Sequence, residues 1–251
     1  MVFNIAAGQH QRRLFYLVKI IALDEVGGRD FIPPRPACYH ELLNAQGYAS
    51  YHVGKWHVGT SLEPVECGAE GVYHPGYGYP SAHPHYLAYL ERNGLPGFAL
   101  EDETFGRYRD GSRGVVLRAR QAQPVEASIP YYLAEQVIEV MRSAVEAGRP
   151  FNVRCDFWGP HVPYIVPEPY HSMYEDLEVP EWTSFGETFE GKPAIQRIYT
   201  DYWGVQDLTW DDWTSLVRGA YAYTTLIDDQ LGRLLATVRE LGIEENTTVI
   251  Y

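Results

Sequence analysis

The feature that most constrains the fold is a pattern of helix, short turn and strand that occurs twice. The first copy is a predicted helix over 131–148 followed by a buried strand over 151–157. The second is a long helix closed by Gly242 and followed by a β-branched strand from Thr247. The apolar stripes of the two helices are Leu133, Val137, Met141 and Ala144, and Leu216, Ala220, Tyr223, Ile227, Leu231, Leu234, Val238 and Leu241. This repetition is typical of α/β architecture with a parallel sheet, and 251 residues are enough for one large domain.

The charge balance restricts the class of partner. Acidic residues outnumber basic ones 33 to 20, which gives a formal net charge of -13. Such a chain is repelled by phosphate backbones and anionic lipids, so we expect neither nucleic acid nor a membrane as its partner. A local cationic pocket for a small anion is compatible with this charge.

Cysteine usage and the N-terminal region leave the localisation unknown. The three cysteines lie far apart without a CxxC pair, which predicts neither a disulfide framework nor a thiolate zinc cluster. The apolar stretch Leu14 to Leu23 is interrupted by Lys19 and is too short to span a bilayer. It provides no convincing signal peptide or transmembrane segment.

A glycine-bounded motif, Gly54-Lys-Trp-His-Val-Gly59, follows a predicted helix over 39–47 and a predicted strand over 48–53. Ligands of open α/β sheets bind at such strand ends, and the motif presents a cation and an imidazole together. A phosphate-binding P-loop is excluded, because Lys55 is followed by Trp56 rather than by Ser or Thr. The alternative is an ordinary turn with solvent-exposed Lys55 and His57.

A second motif, Phe157-Trp-Gly-Pro-His-Val-Pro-Tyr164, follows the strand over 151–157. His161 lies between Pro160 and Pro163 in a loop that is expected to be stiff, which suits proton transfer. The alternative is a histidine packed against Trp158 and Tyr164 for structure alone. The remaining connections, 64–130 and 168–213, show weak periodicity and are predicted to be loops with short elements.

Two other clusters, one of histidines and one of aspartates, are candidate metal sites. His74 with His83 and His85 could bind a transition metal through imidazole, but no carboxylate or thiolate lies at ligand spacing. Asp228 and Asp229 are adjacent on a predicted helix, so their side chains project about 100° apart. No metal ligand is therefore predicted.

Three segments resemble the sulfatase family. Residues 42–59, LLNAQGYASYHVGKWHVG, are similar to the family signature in which a helix ending in Gly-Tyr leads to a strand and then to Gly-Lys-Trp-His-x-Gly. Residues 157–174, FWGPHVPYIVPEPYHSMY, resemble a later segment with a Pro-His-x-Pro histidine. Residues 221–251 resemble the helix and strand that precede the last metal-binding loop, so the resemblance covers most of 37–251.

The resemblance implies an alkaline-phosphatase-like fold and hydrolysis of sulfate monoesters on a small molecule or glycan. The complete family enzyme uses Ca2+ and a formylglycine nucleophile made from cysteine. By position, Lys55 is implied to hold the sulfate, and His57 to bind and deprotonate the hydroxyl of the nucleophile. His161 is implied to donate a proton to the leaving oxygen or to bind a sulfate oxygen.

The departures from the family pattern are equally specific. The family nucleophile motif, Cys-x-Pro-Ser-Arg or its serine version, does not occur in this sequence, and residues 1–35 match no family segment. We therefore predict an unmatched segment over 1–35, with a mis-assigned start as one explanation. Residues 36–251 are predicted to be a partial catalytic domain, a mostly parallel sheet flanked by helices that is incomplete at both ends.

The predicted function is that of a sulfuric ester hydrolase whose chain is inactive alone, because it lacks the nucleophile and most metal ligands. One alternative is a phosphate or phosphonate ester hydrolase of the same superfamily. Another is a non-catalytic module that binds sulfated ligands. A third is that exposed sheet edges prevent stable folding, which a cooperative thermal transition would contradict.

Overall fold

The computed structural model describes the backbone of residues 2–7 and all of residues 37–58, 62–76 and 78–250. Its strands are β1 (Val2–Ala7), β2 (Ala49–Trp56), β3 (Tyr73–Pro75), β4 (Leu100–Arg107), β5 (Arg113–Gln121), β6 (Phe151–Asp156), β7 (Tyr164–Val166) and β8 (Thr247–Ile250). Its α-helices are α1 (Tyr39–Asn44), α2 (Pro84–Arg92), α3 (Ile129–Glu146), α4 (Ala194–Trp203) and α5 (Trp210–Glu240).

The chain divides into two compact units. Unit 1 consists of Met1–Gly94, Ile129–Trp158 and Asp229–Tyr251, and unit 2 of Leu95–Ser128 and Gly159–Asp228. The predicted division into residues 1–35 and 36–251 follows a different criterion, the family match, and stays a prediction.

Unit 1 is built on a five-stranded sheet with the order β3-β2-β6-β1-β8. Strand β2 pairs in parallel with both β3 and β6, whereas β1 runs antiparallel to both β6 and β8. The α/β fold with a mostly parallel sheet and flanking helices is thus confirmed. The interior position of β1, between β6 and β8, was not predicted.

The apolar helix stripes determine the packing on this sheet. Helix α3 contacts β6 and β2, and its predicted stripe is fully buried. Gly148 adopts a positive φ of 63° just beyond the end of α3, as expected for a glycine that stops a helix. Helix α5 begins at Trp210, earlier than its apolar stripe, and its first turn carries the exposed Asp211 and Asp212.

Unit 2 contains a three-stranded sheet with the order β4-β5-β7, together with α4 and the first part of α5. The hairpin of β4 and β5 lies inside the segment 64–130 that was predicted to be loops with short elements, and α4 lies inside 168–213. Most β4 side chains are at least partly exposed, so this strand lacks the alternation of a half-buried one. Helix α4 carries its large apolar residues at helical spacing but leaves them exposed: Ile195, Ile198, Tyr199 and Tyr202.

The helices of the described residues include none that is both long and apolar enough to cross a bilayer. The apolar stretch Leu14 to Leu23 lies outside the described residues.

Candidate active site

The end of β2 carries the first predicted motif, and the local backbone explains its glycine. The prediction ended this strand at Val53, but β2 continues to Trp56. Gly54 has a φ of 105°, and a Cβ atom there would lie 2.2 Å from the carbonyl oxygen of Asp156 on β6. Only glycine therefore permits β2 to pair this closely with β6 while extending the strand through Lys55. Gly59, at the end of the motif, lies outside the described residues.

Lys55 is half-buried, and its charge lies against an aromatic face. Its Nζ atom is 5.7 Å from the ring centroid of Trp158, which is only 5% exposed. This distance is within the range of a favourable cation–π interaction. The contact positions the ammonium group at the end of the strand rather than leaving it to move freely in solvent.

A carboxylate lies near this ammonium group. Burial raises the pKa of Asp156, and the positive charges of Arg154 and, more weakly, Lys55 oppose that rise. Arg154 Nε donates a hydrogen bond of 2.8 Å to Asp156 Oδ2. Arg154 therefore partly compensates the charge of this carboxylate beside the Lys55 ammonium group.

His57 follows the strand and is half-buried. Its ring lies against the backbone of Gly76, where a Cβ atom would come within 2.5 Å of the imidazole Cγ. Gly76 therefore provides the space that the imidazole occupies. The structure brings Lys55 and His57 together at one end of β2 in unit 1.

His161 belongs to unit 2 and is exposed. Its ring meets Trp203 of α4 edge-on at a centroid distance of 5.7 Å, so neither Trp158 nor Tyr164 is the aromatic partner found for it. Nδ1 is hydrogen-bonded to the carbonyl oxygen of Val162. A carbonyl oxygen only accepts, so Nδ1 carries the proton and Nε2 is the atom able to exchange one.

The sequence indicates His74 only as a possible metal ligand, and the structure gives it a different setting. It lies on β3 directly opposite Lys55 on β2. It is 1% exposed, and its ring is 4.2 Å from that of His83 and 6.0 Å from that of Trp158. Lys55 and His74 are nineteen positions apart in the sequence, so only the strand pairing reveals their proximity.

The described residues do not fit the two groups that the family resemblance implies. Within 37–58, 62–76 and 78–250, no three His, Cys, Asp or Glu side chains are grouped so that they could hold a metal ion. Asp228 and Asp229 are exposed on α5. The cysteines are buried, and burial raises the pKa of the Cys155 thiol. No catalytic step is therefore derived through Ca2+ or formylglycine.

Comparison with known proteins identifies the family. The ulvan-active sulfatase of Formosa agariphila is 21% identical over 225 residues, covering 88% of this chain and 35% of that protein. The multifunctional alkaline phosphatase superfamily protein PehA of Trinickia caryophylli is 26% identical over 141 residues, covering 51% of this chain and 27% of that protein. The chain thus covers less than half the length of the curated relatives it matches.

A solved structure supports the fold. The phosphonate monoester hydrolase of Silicibacter pomeroyi superposes with a TM-score of 0.56 at 20% identity, covering 82% of this chain and 44% of that one. The sulfatase family model matches residues 1–251. The chain therefore belongs to the sulfatase family.

Proposed function

We propose that the end of β2 binds the sulfate group of a sulfate monoester through Lys55 and His57. The observation that carries this proposal is the Lys55 ammonium group held over Trp158, with an imidazole two residues further along the chain. At a net charge of -13, the protein repels anions at long range, so an anion site requires such a local cation. Lys55 supplies the charge, and His57 supplies a ring nitrogen for a sulfate oxygen.

His161 is proposed as the group that protonates the leaving oxygen of the ester or binds a sulfate oxygen. Its Nε2 atom is the exchangeable position, because Nδ1 is engaged by Val162. The roles of Lys55 and His161 agree with those that the family resemblance implies. For His57 the resemblance implies a different role, binding and deprotonating the hydroxyl of the nucleophile, and the sequence contains no Cys-x-Pro-Ser-Arg motif to supply that group.

Residues 1–251 by themselves are proposed to bind sulfate esters without hydrolysing them. The sequence contains no Cys-x-Pro-Ser-Arg motif, and the three cysteines are buried. In the family, the nucleophile attacks sulfur, so a chain without it retains recognition and loses turnover.

The test is a calorimetric titration of the chain with inorganic sulfate. Lys55→Ala is expected to weaken binding at least tenfold, which corresponds to about 1.4 kcal/mol. Lys192→Ala is the matched control, because Lys192 also follows a glycine but pairs with Glu187 in unit 2. Equal effects of the two substitutions would refute an anion site at Lys55.

Turnover is measured separately with 4-nitrophenyl sulfate and Ca2+, and no sulfate release is expected. Release that Lys55→Ala abolishes would refute the proposed inactivity and retain the anion site. A phosphonate or phosphate ester is the second candidate substrate, because a phosphonate monoester hydrolase shares the fold. Tighter binding of phosphate or methylphosphonate than of sulfate would favour it.

A further inference from the structure

A small cavity lies within unit 1 beside the proposed anion site. Its volume is about 200 Å³. The described residues around it combine flat apolar walls with imidazole groups. Its lining includes His74, Pro75, Tyr79, Pro80 and His83.

The cavity is adjacent to Lys55 because of the strand pairing. His74 on β3 and Lys55 on β2 are opposite one another in a parallel pair, so their side chains lie on the same face of the sheet. Trp158 contacts both side chains, with its ring 6.0 Å from the His74 ring and 5.7 Å from Lys55 Nζ. His57 packs on Gly76, the neighbour of the cavity residue Pro75. A molecule bound at Lys55 and His57 therefore has this cavity next to it.

His74 indicates what kind of molecule enters the cavity. It is 1% exposed, yet neither of its ring nitrogens has a hydrogen-bond partner among the residues that the structure describes. Leaving a buried polar atom unsatisfied is unfavourable, and such atoms in native structures call for an explanation. Burial first, and then the neighbouring His83, His85 and His52, lower the pKa of His74 to about 3. The neutral ring therefore offers one donor and one acceptor at neutral pH.

We propose that this cavity holds the organic part of the sulfate ester, an aromatic ring with a hydrogen-bonding substituent directed at His74. This inference rests on the proposed function, since it takes the sulfate to lie at Lys55 and His57. A cavity of about 150 Å³ is known to accept benzene, so about 200 Å³ accommodates one six-membered ring with a substituent.

The walls favour an aromatic ring over a sugar. Pro75, Pro80 and Tyr79 present apolar surfaces, which suit the faces of a flat ring. A sugar ring carries hydroxyl groups around its whole edge, and each needs a partner when it is buried. The imidazoles of His74 and His83 are too few to satisfy them all. We therefore assign an aryl sulfate with a second polar group as the ligand class.

The experiment compares calorimetric affinities of the wild-type chain for methyl sulfate, phenyl sulfate, 4-hydroxyphenyl sulfate and glucose 6-sulfate. Phenyl sulfate is expected to bind at least threefold tighter than methyl sulfate, and 4-hydroxyphenyl sulfate at least tenfold tighter. Aryl affinities equal to that of methyl sulfate overturn the inference. Affinity for glucose 6-sulfate equal to the aryl affinity overturns the aromatic assignment.

Substitutions then test the role of His74. His74→Phe keeps a flat ring and removes both hydrogen-bonding atoms, so it is expected to abolish the advantage of 4-hydroxyphenyl sulfate over phenyl sulfate. His85→Phe is the control, because His85 is exposed and does not line the cavity. If 4-hydroxyphenyl sulfate still binds His74→Phe more tightly than phenyl sulfate does, the proposed role of His74 is overturned. If this variant does not fold, the comparison of ligands on the wild-type chain still tests the cavity assignment.

Inorganic sulfate separates the two proposals. Sulfate binding that depends on Lys55, without any preference for a ring, contradicts the cavity assignment and leaves the proposed function intact. Failure of sulfate and of every ester to bind contradicts both proposals.

Discussion

Acidification from pH 8 to pH 5 should destabilise this protein strongly, because unit 1 buries three histidines in their neutral form. His40, His52 and His74 are 2%, 0% and 1% exposed. The pKa of each is lowered from 6.5 to about 3, with burial as the largest cause. The next cause is the interaction with a neighbouring group: with His52 for His40, with Arg154 for His52 and with His83 for His74. In the unfolded chain the same side chains regain a pKa of about 6.5.

The sign and size follow from proton linkage. Between pH 6.5 and 3 the unfolded state binds more protons than the folded state, so the free energy of unfolding falls as the pH drops through this window. One pKa unit corresponds to about 1.4 kcal/mol, so at pH 5 each histidine lowers the free energy of unfolding by about 2 kcal/mol. Three independent histidines give about 6 kcal/mol, comparable with the roughly 5–15 kcal/mol that stabilises a typical native protein.

One buried group acts in the opposite direction. Burial raises the pKa of Asp156, so the folded state retains a proton there that the unfolded state releases, and this stabilises the fold as the pH falls. His52 Nε2 lies 3.9 Å from Asp156 Oδ2, so the two titrations interact. Because this one group opposes three histidines, the free energy of unfolding still falls as the pH decreases.

The assay is urea unfolding followed by tryptophan fluorescence at pH 8, 6.5 and 5 and constant ionic strength. Between pH 8 and pH 5 the free energy of unfolding should fall by about 2 kcal/mol less in His52→Gln than in the wild type, since the substitution removes one titrating site. His161→Gln, at an exposed position, should leave the loss unchanged. A free energy of unfolding that changes by less than about 1 kcal/mol between pH 8 and 5 would show that these histidines are not buried as neutral groups.

Two further predictions concern the β2 edge and the thiols. Gly54→Ala should lower the free energy of unfolding by more than about 1 kcal/mol, because alanine is strained at this positive φ and its Cβ meets β6. Gly186→Ala, where a Cβ atom meets open space, should change the free energy of unfolding by no more than about 0.5 kcal/mol. Equal urea midpoints for the two variants would refute the argument. Cys38, Cys67 and Cys155 are buried, so the folded chain should not react with a thiol reagent until it is unfolded in urea. Rapid labelling of a thiol in the native state would contradict this burial.

The elements that bury an apolar face could be predicted from the sequence. The stripe of α3 predicts the helix because these residues recur every three or four positions and all pack on the sheet. The local pattern over 39–53 likewise predicts α1, the turn at Gly47 and the strand that leads to Lys55. Such local patterns make Lys55, His57 and His161 candidate site residues, and the roles assigned to them come from the family resemblance.

The exposed elements and the environment of the site could not be predicted in this way. Strand β4 buries only Gly106 and α4 buries no residue, so neither has a buried face that a sequence pattern could reveal. Strand β5 does alternate buried and half-buried residues over 117–121, but the polar Arg118, Arg120 and Gln121 obscure this alternation in the sequence. The extension of β2 to Trp56 depends on Gly54 meeting the Asp156 carbonyl, a contact between residues about a hundred positions apart.

The sequence by itself determined the family, the main helices and the identities of the proposed catalytic side chains, because each is encoded in a short contiguous run. Only the tertiary structure decided that His74 lies opposite Lys55 and beside a cavity. It also decided that His40, His52 and His74 are buried as neutral groups. The physical reason is that strand register and burial arise from contacts between distant segments, and no local pattern of residue types records them.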